Sequence, residues 1–562
     1  MSQDTAINNG GSTESARAAN RPAVMGGWLP GIITWLLILV LGGAIIAVRY
    51  SAAESDQANV NVFTLILGFG MFVTFGVWFV FRSAYPMLVR LLAPVAIMLS
   101  IAVWFALYEI DHVDGNLIPH WKRRGAKAPD ELLAMPEVAA PDQATETPAK
   151  VDLATTTAWD FPQFLGPNRD LQVTAVKLSQ NWDSDPPQQL WRQPIGAGWS
   201  SFAAVNGFAV TLEQRGDEEL VTCYEVKTGT LQWSHAIAGR HETKLGGIGP
   251  RSTPTIDGGQ VYAMGPTGVL RCLQGTDGSL IWQQNLLDRL QLTPEDDGQA
   301  IAWGRSGSPL VVDDLVVVPY GGPTNGPWKS LAAFDKQSGE PRWEAGKYQA
   351  SYASPQLATL AGRRQILLVS QDWAGGYDPE NGSPIWSFEW PGSSSTNANT
   401  SQAMPVGDDE VLLSKGYGGG SSLLKLSPQG NSLTATEVWH ESGNLKTKFT
   451  NAVVADGYAY GLSDGILECV DLATGDRQWK SSRGRYGHGQ ILWVSGLLLV
   501  QAESGEVALV EASPNEFKEL GRLDALSGKT WNNLCLYGPY LLVRNAEEAA
   551  CYELSVESGN GL

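Results

Sequence analysis

The segment Cys469-Val-Asp-Leu-Ala-Thr-Gly475, followed by Trp479, is the clearest indication of how this chain folds. In this pattern a small residue precedes a turn glycine, and a Trp four residues after the glycine closes the copy. The pattern recurs with its closing Trp at Trp233, Trp282, Trp343 and Trp386. Each copy predicts a strand, a tight turn and a second strand that ends in Trp. A repeat of this length predicts stacked four-stranded units of the kind found in propeller blades.

The number of closing positions gives the number of blades. Trp191 belongs to a closing strand that no turn precedes, and Ala550–Leu554 is an inner strand that no closing Trp follows. Together with Trp439 and a weaker copy near 509–521, the closing positions number eight, at a mean spacing of about 47 residues. We therefore predict an all-β, eight-bladed β-propeller. The first strand completes the last blade, which leaves no open sheet edge.

The five cysteines follow the same repeat. Cys223, Cys272, Cys469 and Cys551 share one repeat position, and Cys535 stands apart. One thiol per blade is too widely spaced for disulfide geometry, and no Cys-x-x-Cys is present. We expect buried, inert thiols that pack as small hydrophobes.

Three apolar segments precede the repeats. Each is about 18 residues or longer and is uncharged along most of its length, which predicts three transmembrane α-helices. The predicted organisation is a disordered tail at 1–27, helices at about 28–48, 60–81 and 88–108, a juxtamembrane segment and Ala/Pro-rich linker at 109–158, a cap at 159–185 and the propeller at 186–562.

The distribution of charge predicts orientation. Arg17 and Arg21 in the tail and Arg82 and Arg90 in the second loop, against Arg49 alone in the first, favour a cytoplasmic N-terminus. Three spans then place the propeller on the periplasmic side of a bacterial inner membrane, as part of a multi-pass protein. The net charge of −19 argues against nucleic acid as a partner.

The repeat resembles the PQQ-like (pyrroloquinoline quinone) β-propeller repeat over roughly residues 186–556. The segment Trp159–Asp170 is similar to the lead-in of bacterial PQQ-repeat proteins, and its Gly-Pro-Asn-Arg-Asp core is intact. The resemblance implies two possible roles. One is that of the propeller lipoprotein of the outer-membrane assembly machine, a scaffold without cofactor. The other is that of membrane-bound quinoprotein dehydrogenases, which join N-terminal helices to a PQQ-binding propeller.

A propeller usually binds its ligand where the innermost strands begin. Alignment of the copies on Thr253-Pro254 and its equivalents gives two polar rings without Asp or Glu. The cationic and aromatic side chains there suit an anionic or planar ligand or a peptide carboxylate, although they could equally be solvated rim residues. The candidate ligand- or partner-binding residues are Arg251, Arg305, Tyr352, Lys448, His488, Trp531 and Asn532.

Catalysis on a quinone would need a carboxylate base and oxygen ligands for Ca²⁺. The rings supply neither, and Glu213, Asp217 and Glu242 are acids that the alignment does not place. We therefore predict a membrane-anchored, extracytoplasmic scaffold that binds other envelope proteins, with no cofactor, metal site or catalysis. Its docking loops would be 195–205, 238–254 and 300–308. A PQQ- and Ca²⁺-dependent quinoprotein dehydrogenase is the alternative, and a small-ligand sensor is the second alternative.

Overall fold

The computed structural model describes residues 27–51, 56–136, 150–391, 394, 398–482 and 485–557. The chain divides into two compact units, one comprising 1–51 and 62–107 and the other 52–61 and 108–562. The predicted disordered tail, apart from Gly27, and residues 137–149 of the predicted linker lie outside the described residues.

Three helices in the described part of the chain are long and apolar enough to cross a membrane. They are α1 (Ile32–Ser51), α2 (Gln57–Arg82) and α3 (Met87–Leu107). Large apolar side chains are exposed along all three, among them Ile32, Leu65 and Met98. This agrees with the prediction of three spanning helices.

Eight four-stranded antiparallel sheets form the propeller, and most follow the chain in simple order. Blades 1 to 4 consist of Ala203–Val205, Phe208–Arg215, Glu218–Glu225 and Leu231–Ala238; Thr255–Asp257, Gln260–Met264, Val269–Gln274 and Leu280–Asn285; Leu310–Val312, Leu315–Gly321, Lys329–Asp335 and Pro341–Ala345; and Gln356–Leu360, Arg363–Val369, Trp373–Tyr377 and Pro384–Glu389. Blades 5 to 8 consist of Met404–Val406, Glu410–Lys415, Gly420–Gln429 and Ser432–Glu441; Val453–Ala455, Tyr458–Ser463, Ile466–Asp471 and Arg477–Lys480; Gln490–Val494, Leu497–Gln501, Val507–Glu511 and Glu519–Leu523; and Cys535–Tyr537, Tyr540–Arg544, Glu548–Glu553 and Gln188–Pro194.

Several short strands and helices lie outside the four-stranded blades. Gln172–Val173 adds a parallel fifth strand to blade 7. Two further hairpins pair Tyr108–Val113 with Pro119–Arg123, and Glu242–Thr243 with Gly247–Ile248. Three short helices are Pro129–Leu132, Leu286–Leu290 and Pro294–Ala300.

The ring closes as the sequence predicts. Gln188–Pro194, the first blade strand in the chain, is the outermost strand of blade 8, and Trp191 stands opposite Cys551. Strands from the two ends of the propeller sequence thus share one sheet. The closure covers the edge that blade 8 would otherwise expose.

The repeated Trp and glycine form the contact between neighbouring blades. Trp282 pairs with Cys272 across its own sheet, and its indole N–H donates to the carbonyl of Lys336 in blade 3 at 3.0 Å. The ring packs on Gly339, where a Cβ would lie 2.6 Å from it. Gly339 has φ 75°, so the turn and the close approach both require glycine. The same packing joins Trp191 to Gly229, Trp233 to Gly278, Trp343 to Gly382 and Trp439 to Gly475.

Two Trp residues of the predicted cap pack on glycines of blades 7 and 8, and blade 7 has no closing Trp of its own. A Cβ on Gly521 of blade 7 would lie 2.6 Å from Trp182, and a Cβ on Gly538 of blade 8 would lie 2.6 Å from Trp159. Residues just before the lead-in also pack on the blades, since Leu153 belongs to a buried cluster with Leu273. All five cysteines are buried and free, as predicted.

Candidate functional site

A belt of hydrogen bonds surrounds the channel at the end where the innermost strands begin, which we call the mouth. The backbone N–H of Ser201 donates to Thr253 Oγ1 at 3.1 Å, that of Thr253 to Ser308 Oγ at 2.9 Å, and that of Ser308 to Ser354 Oγ at 2.9 Å. Each of blades 1 to 3 is therefore tied to the next by a hydroxyl. The belt explains why small polar residues stand in the rings that the sequence alignment identified.

Arg169 closes the channel beneath the mouth. Its guanidinium is buried and donates to Gln163 Oε1 at 2.8 Å, to Thr255 Oγ1 at 3.2 Å, and to the carbonyls of Ser308, Pro309 and Pro355. All five N–H groups are thus used on acceptors from the lead-in and from blades 2, 3 and 4. The Gly-Pro-Asn-Arg-Asp segment therefore acts as a floor of the channel.

Above this floor lies a cavity of about 490 Å³. Four of the seven predicted site residues line it: Arg251, Tyr352, Lys448 and Trp531. The other lining residues include the carboxylates Asp56 and Asp114 and the aromatic and amide side chains of Phe164, Trp199, Trp303, Tyr417, Phe449, Asn451 and Asn533.

Two of the predicted cations already have carboxylate partners. Arg305 is 3% exposed; it pairs with Asp297 at 2.7 Å and donates to the carbonyl of Tyr320 at 2.6 Å. Lys448, also 3% exposed, pairs with Asp56 at 2.6 Å. These pairs leave neither charge uncompensated for an incoming anion.

Arg251 differs from them. Its guanidinium donates to the carbonyls of Gly249 at 3.0 Å and Gly247 at 3.5 Å. Among the described residues, none forms a salt bridge with it. Burial lowers its pKa to about 10, and it faces the cavity with Tyr352, whose ring stacks on Trp303 at 5.2 Å.

The remaining polar candidates take structural roles. Asn532 is fully buried, and its amide donates to the carbonyls of Gly198 at 3.1 Å and Ser200 at 2.8 Å. His488 is 3% exposed, and burial lowers its pKa, so the neutral ring is favoured. Neither residue lines the cavity.

Trp531 belongs to an aromatic cluster with a lysine at its centre. Its ring lies 5.0 Å from Trp199 and 4.8 Å from Phe449. Lys529 Nζ lies 4.4 Å from the ring centre of Trp531 and 4.9 Å from that of Trp199, distances suited to cation–π attraction. Burial lowers the pKa of Lys529 to about 8.

Glu503 is the carboxylate at the mouth that the sequence analysis missed. It follows the second strand of blade 7 and accepts from Trp531 Nε1 at 2.8 Å, from the backbone N–H of Gly115 at 2.7 Å and from that of His488 at 3.0 Å. The alignment covered only residues that precede the innermost strands. Glu503 comes later in the blade, in the turn after the second strand, where the repeat is weakest.

A Ca²⁺–quinone site needs free carboxylate oxygens at the mouth. The acids present there are held by internal donors: Glu503 by three N–H groups, Asp114 by two backbone N–H groups, Asp297 by Arg305 and Asp56 by Lys448. In the described parts of the chain, no three His, Cys, Asp or Glu side chains are grouped to hold a metal ion. The donor set does not fit bound Ca²⁺.

The three acids that the sequence left unplaced do not converge on the cavity. Glu213 is fully buried, where it pairs with Arg215 at 3.0 Å and accepts from Tyr224 at 2.7 Å. Glu242 pairs with Arg240 at 3.2 Å, and Asp217 accepts from Gly239 through its backbone carbonyl. None of the three lines the cavity.

A second cavity of about 730 Å³ lies beside the mouth and is strongly acidic. The basic side chains in its lining are Arg485, Lys529, His112 and His120. Its carboxylates are Asp111, Asp114, Asp130, Glu242, Asp464, Glu503 and Glu547.

Of the three predicted docking loops, one presents its tip to solvent. Residues 195–205 and 300–308 are mostly buried. In the loop 238–254, the turn between Glu242–Thr243 and Gly247–Ile248 exposes Leu245, at 51%. This turn borders both cavities.

Sequence comparison identifies one family. The family model described as outer membrane protein assembly factor BamB matches residues 136–300 and 216–481, which is more than half of the chain. No curated protein matches the chain.

Several solved structures resemble the propeller. BamB from Moraxella catarrhalis is 14% identical, with a TM-score of 0.45, over 67% of this chain and 99% of that one. The quinohemoprotein alcohol dehydrogenase ADHIIG from Pseudomonas putida HK5 is 11% identical, with a TM-score of 0.46, over 72% and 81%. A europium-containing methanol dehydrogenase is 10% identical, with a TM-score of 0.43, over 71% and 98%. Likenesses at this level transfer neither an activity nor a partner.

Proposed function

The chain belongs to the family of the outer membrane protein assembly factor BamB, and on that premise we propose that it is a membrane-anchored docking platform for other envelope proteins. Its helices would hold it in the inner membrane, with the propeller on the periplasmic side. The observation that carries the proposal is the rim beside the mouth, where the exposed Leu245 turn borders an acidic cavity of about 730 Å³. Exposed loops on a rigid scaffold are where partners bind.

The acidic cavity indicates the chemistry of the partner. Four of its seven carboxylates already pair with Lys122, Arg240 or Lys446. The other three, Asp114, Glu503 and Glu547, form no salt bridge with any described residue and are left to attract a basic partner. A partner that offers basic side chains around an apolar contact for Leu245 would be complementary to this surface. Complementary charge would also speed the encounter at low salt.

The mouth itself favours binding over quinone-dependent oxidation. A dehydrogenase would need a carboxylate that takes the proton of its substrate and others that hold Ca²⁺. The acids at the mouth are instead engaged by Arg305, Lys448 and the N–H groups around Glu503. The sensor alternative keeps one supporting observation, which is that Arg251 faces an aromatic cavity without a carboxylate partner among the described residues.

Site-specific photo-crosslinking tests the platform. A benzophenone side chain at Leu245 in the full chain, expressed in cells, should capture a discrete envelope protein. The same group at Val438, which is exposed on the outermost strand of blade 5, should not. Capture should weaken when Glu242 and Glu547 are both changed to Gln. Equal capture at both positions would contradict the proposal, as would PQQ- and Ca²⁺-dependent alcohol oxidation by the purified chain.

A further inference from the structure

The turn of the juxtamembrane hairpin, residues 113–117, enters the mouth. The backbone N–H of Gly115 donates to Glu503 Oε1 at 2.7 Å. A Cβ on Gly115 would lie 2.8 Å from that oxygen and would collide with the ring of His488. The position therefore accepts glycine and excludes every larger residue.

The carbonyl side of the same turn is also bound. Lys529 Nζ donates to the carbonyl of Val113 at 3.2 Å while it is held between Trp199 and Trp531. A carboxylate thus binds an N–H of the turn, and an ammonium binds a carbonyl of the turn. Both contacts are made to main-chain atoms, so the glycine is the one side-chain requirement that they impose.

The turn holds its own shape. Asp114 Oδ1 accepts from the backbone N–H groups of Asn116 and Ile118, each at 2.9 Å, as Asp does in many tight turns. Leu117 is 43% exposed, and the cavity of about 490 Å³ stays open beside the turn. The carbonyl of Asn116 also accepts from Asn61 Nδ2 at 2.9 Å. A preformed turn held by a few separate hydrogen bonds can leave the mouth as a unit.

We propose that the mouth is a docking site for glycine-containing β-turns, closed in this structure by the chain's own residues 113–117, which a glycine turn on a partner protein replaces. The proposal rests on the proposed platform function and names the element of the partner that is recognised. The partner's turn would place an N–H at Glu503 and a carbonyl at Lys529. The Leu245 turn at the border of the cavity would contact the strands that flank it.

The first experiment measures whether the turn is held. In the full chain in detergent, Gly115→Val should lower the protection of the amide of residue 115, measured against its intrinsic exchange rate, by at least about tenfold, since a charge-assisted hydrogen bond to Glu503 is lost. Gly443→Val is the matched control, because a Cβ there meets nothing within 4 Å. Glu503→Gln should act in the same direction, since one amide oxygen cannot accept from three N–H donors. Exchange in the wild type that is already as fast as in Gly115→Val would overturn the proposal.

The second experiment measures recognition in trans. The probe is a fluorescent peptide of residues 108–123, closed by a disulfide between added terminal cysteines. It should bind the Gly115→Val chain at least about tenfold more tightly than the wild type, because the mouth of the variant is open. The same peptide with Val in place of Gly115 should bind neither chain. A Gly115→Val chain that shows fast exchange yet binds no peptide would overturn the proposal.

Crosslinking separates this proposal from the platform on which it rests. If a partner uses the mouth, capture at Leu245 should rise several-fold in Gly115→Val relative to Gly443→Val. Capture that is equal in the two variants would leave the platform standing and reject turn recognition. If neither variant captures a partner while the peptide binds only the open mouth, the result supports turn recognition and contradicts the proposed platform function.

Discussion

Two segments outside the blades close the channel, and they do so in different ways. Below the mouth, Arg169 is 1% exposed and donates five hydrogen bonds to the lead-in and to three blades. At the mouth, Gly115 and Val113 make one main-chain contact each, to Glu503 and Lys529. A group tied to several blades is part of the fold. The turn has only these two contacts to the blades and one hydrogen bond from Asn61 to the carbonyl of Asn116, so it can exchange with another ligand.

The largest expected effect is at the floor. Arg169→Met should lower the free energy of unfolding by about 3–5 kcal/mol, because it leaves buried carbonyls of Ser308, Pro309 and Pro355 without a donor. Denaturant unfolding of the full chain in detergent, followed by circular dichroism, measures this change. Arg364→Met, which removes an exposed arginine from its pair with the exposed Asp313, should cost less than about 1 kcal/mol. Similar costs for the two variants would contradict the difference between floor and surface.

The second expected effect is a difference in stability between Arg251 and Arg305, which the sequence assigned to the same candidate binding site. Arg305→Ala should cost about 3 kcal/mol, because it leaves Asp297 buried without its partner. Arg251→Ala should cost about 1 kcal/mol or less, since Arg251 forms no salt bridge with any described residue. The same unfolding measurement checks both variants. Equal costs would show that Arg251 also belongs to the fold.

The blade pattern was predictable because its contacts lie in neighbouring repeats. Trp282 and Gly339 are one repeat apart, so the strand, the turn and the inter-blade contact appear together in the sequence. The closure of blade 8 followed from the same pattern, since Trp191 lacks a turn and Cys551 lacks a Trp. The floor formed by Arg169 was harder to predict from the sequence. Arg169 lies in a recognisable motif, but its acceptors are carbonyls in three distant blades, which sequence patterns do not record.

The mouth was predicted only in part, because its counter-charges come from outside the repeat. Periodicity identified Arg305 and Lys448, while Asp297 lies in a short helix between blades and Asp56 lies far before the first blade. Asp114-Gly115 carries a usable signal, since Asp-Gly between apolar strands predicts a hairpin turn. The sequence analysis treated it as an undivided juxtamembrane segment. That the turn enters the mouth could not be read from the sequence.

The smallest expected effect is a pH response of the mouth through Lys529. Burial lowers the pKa of Lys529 to about 8, below its ordinary value of 10.5. Between these two values the unfolded chain binds more protons than the folded chain, so stability rises with pH across this window. Below about pH 8 the lysine is charged in both states, and the cost of burying the charge is fully present.

Lys529→Met should remove this rise, which we expect to be about 1–3 kcal/mol between pH 8 and 10. Lys415→Met is the matched comparison, because Lys415 lines neither cavity and burial beside Trp390 lowers its pKa to about 8 as well. Each variant should lose part of the wild-type slope in unfolding free energy against pH, and Lys529→Met alone should also speed hydrogen exchange at the amide of Gly115. A Lys529→Met chain with the full wild-type slope would show that the ammonium at the mouth is solvated, and hence that the turn does not shield it.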